Sequence, residues 1–319
     1  MSSSTHRAVL DRLLSRLRCP VCHAGIEFKR GAGEIRCDAC SEIFPVLPGD
    51  VPALVVPEQG ARFRKILTEE GGGKKMAEEY RRFGTWRARI REAVKPPSIV
   101  YDEDVARKYS WIYDRRGLET LVLSIGGGPG RENPRVINLN LDAFDSVDIV
   151  GDGTNLPLAD TCLDTVTCNA VIEHVPNPAA LVSEMFRTLK PGGYAQLMIP
   201  FVFPYHAYPG DYQRYTASGI RELTREFEEV ELCILTGPTS TLLVLVREYL
   251  RILIPGGNSR FLRPVINGIS GWLTFPFKYL DRWLNRKAEA TNLAAAFYYL
   301  GRKPAVMRNW QDNPDDTAG

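Results

Sequence analysis

The chain has 319 residues and a formal net charge of +2, long enough for one large domain and a small one with a real core. So even a charge balance excludes a global electrostatic argument for nucleic acid. No run of 18 apolar residues and no cleavable leader occur, so neither a spanning helix nor export is expected, and seven cysteines then suit a reducing, cytoplasmic setting.

Residues 5–18 have the pattern of a short amphipathic helix leading into a Cys-rich segment, 19–57. There Cys19-Pro-Val-Cys22 and Cys37-Asp-Ala-Cys40 form two C-x-x-C knuckles, with Gly31 and Gly33 between them for a hairpin turn. Four thiolates in this spacing suit a closed, tetrahedral, structural Zn2+ site. In so small a module the metal would supply much of the folding free energy, on the order of 10 kcal/mol. Cys162, Cys168 and Cys233 sit in apolar strand contexts and read as ordinary buried thiols. Residues 58–117 look like a charged helical connector or lid.

From Leu118 short apolar runs alternate with helical stretches, which predicts an α/β domain over 118–303 with a parallel sheet. The strands are LVLSI, VINLNL, VDIV, LDTVTCN, GGYAQLMIP, VELCIL and AAAFYYLGRK; PAALVSEMFRTLK and TASGIRELTREF are helices, the second capped by Thr216. Residues 237–290, with eight basic and three acidic side chains among many Leu, Trp, Phe and Tyr, form an apolar helical insertion before the last strand. It reads as a lid, a dimer surface or an interfacial membrane contact. Residues 304–319 are polar enough for a disordered tail.

The glycine loop after LVLSI lacks the Gly-Lys-Ser/Thr of a phosphate loop, and a G-x-G-x-x-G count from Gly126 ends on Arg131. What remains is G-x-G-x-G: Gly126, Gly128 and Gly130. With VDIVGDGTNLPLAD, LDTVTCNAVIEHV and LKPGGYAQLMIP following in order, this resembles the class I S-adenosylmethionine (SAM) methyltransferases of the type 11 group. The resemblance implies a Rossmann-like sheet and SAM as cofactor. It places Ser124 and the three glycines at the amino-acid end and ribose of SAM, Asp152 and Gly153 at the adenine, and Asn169 at the end of the fourth strand. An acid usually grips the ribose hydroxyls at the end of the second strand; here Asp142 is the expected group and Asn140 the alternative.

The segment CPVC…CDAC…FPVLPGDVPAL resembles the small zinc-ribbon proteins that partner methyltransferases. The loop FVFPYHAYPGDYQRYT is similar to an acceptor-side loop of the type 11 group. It offers His206 as general base, Asp211 to orient it or bind substrate, and Tyr205, Tyr212 and Arg214 as substrate contacts. An internal Asp211–Arg214 pair holding the loop is the competing expectation, and His174 is expected to be structural or a wall of the SAM pocket.

These features lead to a SAM-dependent methyltransferase, O-directed, with a small-molecule, sugar or lipid-linked acceptor. The chain would then be cytoplasmic, in peripheral reach of the inner membrane face through 237–290, and open to homo-oligomer formation. The alternatives are an RNA methyltransferase, given the fused zinc ribbon, and a SAM-binding scaffold without turnover, given Ser124 and Asn140. The short RENPR link after Gly130 leaves one flank of the SAM pocket uncovered, and Tyr109, Trp111 and Tyr113 are expected to close it.

Overall fold

A computed structural model describes residues 3–56 and 120–305, apart from residues 129, 130, 132, 134, 144, 208, 209 and 260. The connector with its Tyr109, Trp111 and Tyr113, and Gly130 of the glycine loop, lie outside the described residues.

The N-terminal module consists of helix α1 (Ser3–Leu14) and strands β1 (Glu34–Arg36), β2 (Ile43–Leu47) and β3 (Val51–Leu54). The main domain contributes β4 (Val122–Ile125), β5 (Val136–Asn140), β6 (Ile149–Gly151), β7 (Leu163–Asn169), α2 (Pro178–Thr188), β8 (Leu189–Pro200), α3 (Ala217–Leu223) and β9 (Glu228–Thr236). Helices α4 (Pro238–Leu253) and α5 (Leu262–Thr274) and short helical turns precede β10 (Ala296–Arg302). One sheet runs through both parts in the order β1-β2-β3-β6-β5-β4-β7-β8-β10-β9.

The central strands are parallel, and β10 runs antiparallel between β8 and β9. β4 is buried along its whole length, as continuous apolar runs in a parallel sheet should be. Sequence order reverses between β5 and β7, on either side of β4, so the crevice beyond the carboxyl ends of β4 and β7 is the switch point where a doubly wound fold holds its ligand. Helix starts follow local chemistry: Asn177 caps α2 ahead of Pro178, and Thr216 caps α3 through Gly219 N at 3.1 Å.

Two features depart from a simple two-domain arrangement. Strand β3 pairs in parallel with β6, so the N-terminal module extends the main sheet. Its helix α1 packs against β5, and Val9, Leu13, Leu14 and Leu17 join one core with Ile137 and Leu139. Residues 126–135 are all that link β4 to β5, shorter than the dozen or more residues a parallel crossover normally takes. The packing that a crossover helix would give β5 comes in part from α1. Asp148 fixes this arrangement: its carboxylate accepts from Arg131 Nη1 at 2.7 Å and from the backbone of Asn138 at 2.8 Å, and lies 2.9 Å from His6 Nε2.

Candidate active site

The glycine loop leaves β4 at Gly126, which has φ +72° and donates to Leu139 O at 2.8 Å. A Cβ there would lie 2.3 Å from Val171 Cγ2, so the loops after β4 and β7 touch at the switch point. A Cβ on Gly127 would strike Asn138, whereas one on Gly128 would meet nothing within 4 Å among the described residues. Gly128 thus presents open backbone that a ligand can approach. Ser124 is buried in β4.

β5 ends at Asn140, so the alternation that put Asn140 and Asp142 on one face does not extend to Asp142, which lies in the turn beyond. Asn140 donates to Gly127 O at 2.9 Å and accepts from Asp142 N at 3.1 Å. Its amide ties the second strand to the glycine loop. Asp152 follows β6, where its Oδ1 accepts from Thr154 N and Oγ1, both at 2.8 Å. Any outward hydrogen bond from Asp152 therefore falls to Oδ2. Gly153 is required by packing, since a Cβ would sit 2.7 Å from Ile125 Cγ2. Asn169 ends β7 and accepts from Gln196 Nε2 at 3.0 Å. The described candidates for the cofactor thus gather at the carboxyl edge of β4 to β7.

Next to this edge, the loop after β8 and the turn after β7 form a second cluster. Asp211 accepts from His206 N at 2.8 Å and from both terminal nitrogens of Arg214, one of them at 2.6 Å. These bonds outweigh burial and hold the Asp211 carboxyl at about 2, with Arg214 the main cause. Arg214 also donates to Pro204 O and Gln213 O. Asp211 and Arg214 therefore clamp the loop on itself, as the competing expectation had it, and position His206. Tyr205 and Tyr212 are 76% and 53% exposed at the loop surface.

His206 Nε2 lies 3.5 Å from Glu173 Oε1, and His174 Nε2 lies 3.9 Å from the same oxygen. The two imidazoles meet edge to face at 5.0 Å. The Glu173 carboxylate raises the His206 pKa against the opposing effect of burial. Glu173 itself is 0% exposed. The sequence assigns it no role, although a Glu-His pair just past an apolar strand end was the available signal.

In the N-terminal module the four cysteine sulfurs converge, Cys19 to Cys40 at 3.6 Å and Cys22 to Cys37 at 3.5 Å. Both knuckles close alike: His23 and Ser41 adopt positive φ, and each N–H bonds back to the carbonyl of the first cysteine at 2.8 Å. Zn–S bonds of about 2.3 Å place tetrahedral sulfurs about 3.8 Å apart, so the site fits Zn2+. The first knuckle docks on the loop after Asp152, where Asn155 donates to Pro20 O at 2.8 Å and Arg18 N to Pro157 O at 3.0 Å.

Residues 133–197 match the family model described as "methyltransferase domain". Two uncharacterized methyltransferases, from Mycobacterium sp. strains KMS and JLS, are each 36% identical over 24% of this chain. The chain covers 37% of the length of these curated relatives. Among solved structures, Haemonchus contortus phosphoethanolamine N-methyltransferase 2 in complex with SAM aligns with 62% of this chain and 52% of its own, at 17% identity and a TM-score of 0.39. The [4+2]-cyclase SpnF aligns with 63% and 81%, at 17% identity and a TM-score of 0.40. The sheet order defines a Rossmann-like fold, within which residues 133–197 resemble a methyltransferase domain, with a four-cysteine module at the N-terminus.

Proposed function

We propose that the chain is a SAM-dependent methyltransferase whose acceptor binds over the loop 201–216, and that the transfer is to oxygen. The observation that carries this reading is the adjacency of two clusters: a SAM-type strand edge at Gly126–Gly128, Asp142 and Asp152, and the Glu173–His206 corner beside it. SAM brings an electrophilic methyl group on a sulfonium. Holding the acceptor in line with it contributes on the order of 7–11 kcal/mol to lowering the barrier. Asp142 grips the ribose, and Asp152 Oδ2 receives the adenine amino group. An acceptor hydroxyl gives its proton to the His206 corner, which Asp211 and Arg214 hold in place. Zn2+ in the Cys19, Cys22, Cys37 and Cys40 site serves structure alone.

The acceptor class is a sugar or small molecule carried on a lipid, presented at an anionic membrane. Helices α4 and α5 and the turns beside them expose Ile252 (72%), Phe261 (72%) and Leu273 (70%), together with Tyr249, Trp272 and Trp283. The exposed charges among the described residues of 237–290 are Arg263, Arg282, Arg286 and Lys287 against Glu289, the balance that an anionic surface favours. No helix among the described residues is long and apolar enough to cross a membrane, so this contact is peripheral.

The direct test is incubation of cell-extract lipids and glycans with the protein and methyl-labelled SAM, read by mass spectrometry. A labelled product is expected, and His206→Ala should abolish it while SAM affinity stays within about twofold. Full turnover by the variant would remove His206 from the mechanism.

A further inference from the structure

Glu173, His174 and His206 bring three potential ligand atoms together. Glu173 is fully buried, and neither of its carboxylate oxygens has a close hydrogen-bond donor among the described residues. Such a buried anion is costly unless something positive stands beside it.

The two imidazoles sharpen the conflict. His174 Nδ1 faces Gly210 O, and His206 Nδ1 faces Pro204 O at 3.2 Å. A carbonyl only accepts, so each Nδ1 carries the proton and each Nε2 keeps its lone pair. Arg214 Nη2 also lies 3.4 Å from His206 Nδ1, but its two protons go to Asp211 at 2.6 Å and Pro204 O at 3.2 Å. Both Nε2 lone pairs therefore turn to Glu173 Oε1, at 3.5 and 3.9 Å. One proton on His206 would answer one of these approaches and leave His174 Nε2 without a partner. A divalent cation answers all of them.

We propose that Glu173, His174 and His206 bind one divalent transition-metal cation of the zinc and cobalt class, separate from the four-cysteine site. All three ligand atoms lie within 4.8 Å of one another. Metal–ligand bonds of about 2.0–2.2 Å require tetrahedral ligand atoms about 3.3–3.6 Å apart, so small side-chain shifts complete the set. Two imidazoles and one carboxylate suit this class better than Mg2+ or Ca2+. The Nδ1–H to carbonyl bonds are the supports that fix the tautomer and orientation of metal-bound histidines. Three protein ligands leave a coordination position for an oxygen from outside the chain.

Binding of the cation stands independently of the methyl-transfer reading; its use rests on that reading. A cation held there would lower the pKa of an acceptor hydroxyl and offset the charge on its oxygen once the proton passes to water. His206 is then a ligand rather than the base. The C–S bond to the methyl group then breaks as the C–O bond forms, leaving a neutral thioether.

The test uses the full chain with its ribbon zinc in place, equilibrated with Co2+, desalted and analysed for both metals by elemental mass spectrometry. Wild type should hold one zinc and one cobalt per chain, the cobalt without the intense thiolate charge-transfer bands of a cysteine site. Glu173→Gln should keep the zinc and the thermal midpoint but weaken cobalt binding by more than about tenfold. His206→Ala, on the more exposed loop, provides the same readout where Glu173→Gln fails to fold. A wild type with only ribbon metal, or variants that hold cobalt as wild type does, would overturn the proposal. Methyl transfer with only ribbon metal bound would overturn the cation's use in the reaction while leaving the transfer reading intact. A second bound cation without any transfer would uphold the site and sink the transfer reading instead.

Discussion

At the scale of single residues, Asp148 shows how one buried carboxylate organises several elements. Burial pushes its pKa up, but His6, Arg131 and the Asn138 N–H together push it further down, so the net shift is downward. The sign follows directly. A carboxyl depressed in the folded state contributes stability above its unfolded pKa of about 3.9, and that contribution is lost as pH falls through the lower folded value. Asp148→Asn should therefore cost about 1.5–3 kcal/mol at pH 7, the range for hydrogen bonds to a charged group. Urea unfolding of both proteins checks it: their midpoints should differ at pH 7 and draw together as pH falls below the usual carboxylate range. The sequence made Gly126, Asp152 and the four cysteines legible because their spacing is local. It did not single out Asp148, His6 or Glu173, whose roles come from partners far along the chain, as in the 142-residue separation of His6 and Asp148.

At the scale of elements, strands and the Thr216 cap were legible because apolar runs and threonine caps are short-range signals, and β4, β7, α2 and α3 fall where the pattern predicts. The alternation assumed past the end of β5 failed because the strand stops at Asn140. The insertion 237–290 folds as predicted into helices, and its anchoring has a clear cause. Buried Asp281 accepts from Thr239 N at 2.7 Å and Ser240 N at 2.9 Å, and so caps α4 from the far end of the insertion. That staple holds α4 and α5 as one unit with its apolar side outward. Lys287 over the Trp283 ring at 4.0 Å and Arg282 over Tyr279 at 5.3 Å pair cation with aromatic, an arrangement suited to a membrane interface. Co-sedimentation with anionic vesicles should be strong at low salt and weaker at moderate salt, with little binding to neutral vesicles. If anionic vesicles leave the protein in the supernatant at both salts, the surface serves another partner, such as a second copy of the chain.

At the scale of the whole molecule, the four-cysteine module and the loop after β6 form one mechanical unit. The stretch from Arg16 to Pro20 sits on the loop that runs from Asp152 to Ala159: the Asn155 side chain donates to Pro20 O, Arg18 N to Pro157 O and Ala159 N to Arg16 O. Stripping a metal from the four-cysteine site should loosen that loop and lower SAM affinity. Isothermal titration before and after chelation checks this: a loss of about tenfold or more is expected, and unchanged affinity would show the two sites to be uncoupled. This dependence was not legible from motifs, which divide the chain into separate modules at residue 57.

The pairing of β3 with β6 has a practical result. Removing residues 1–56 to obtain a minimal domain would not trim an appendage; it would uncover the N–H and C=O groups of β6 and turn an interior strand into a bare edge. Bare, flat, apolar edges recruit other chains. The shortened protein would therefore tend to associate through β6, and the N-terminal module acts in part as a built-in guard against self-assembly.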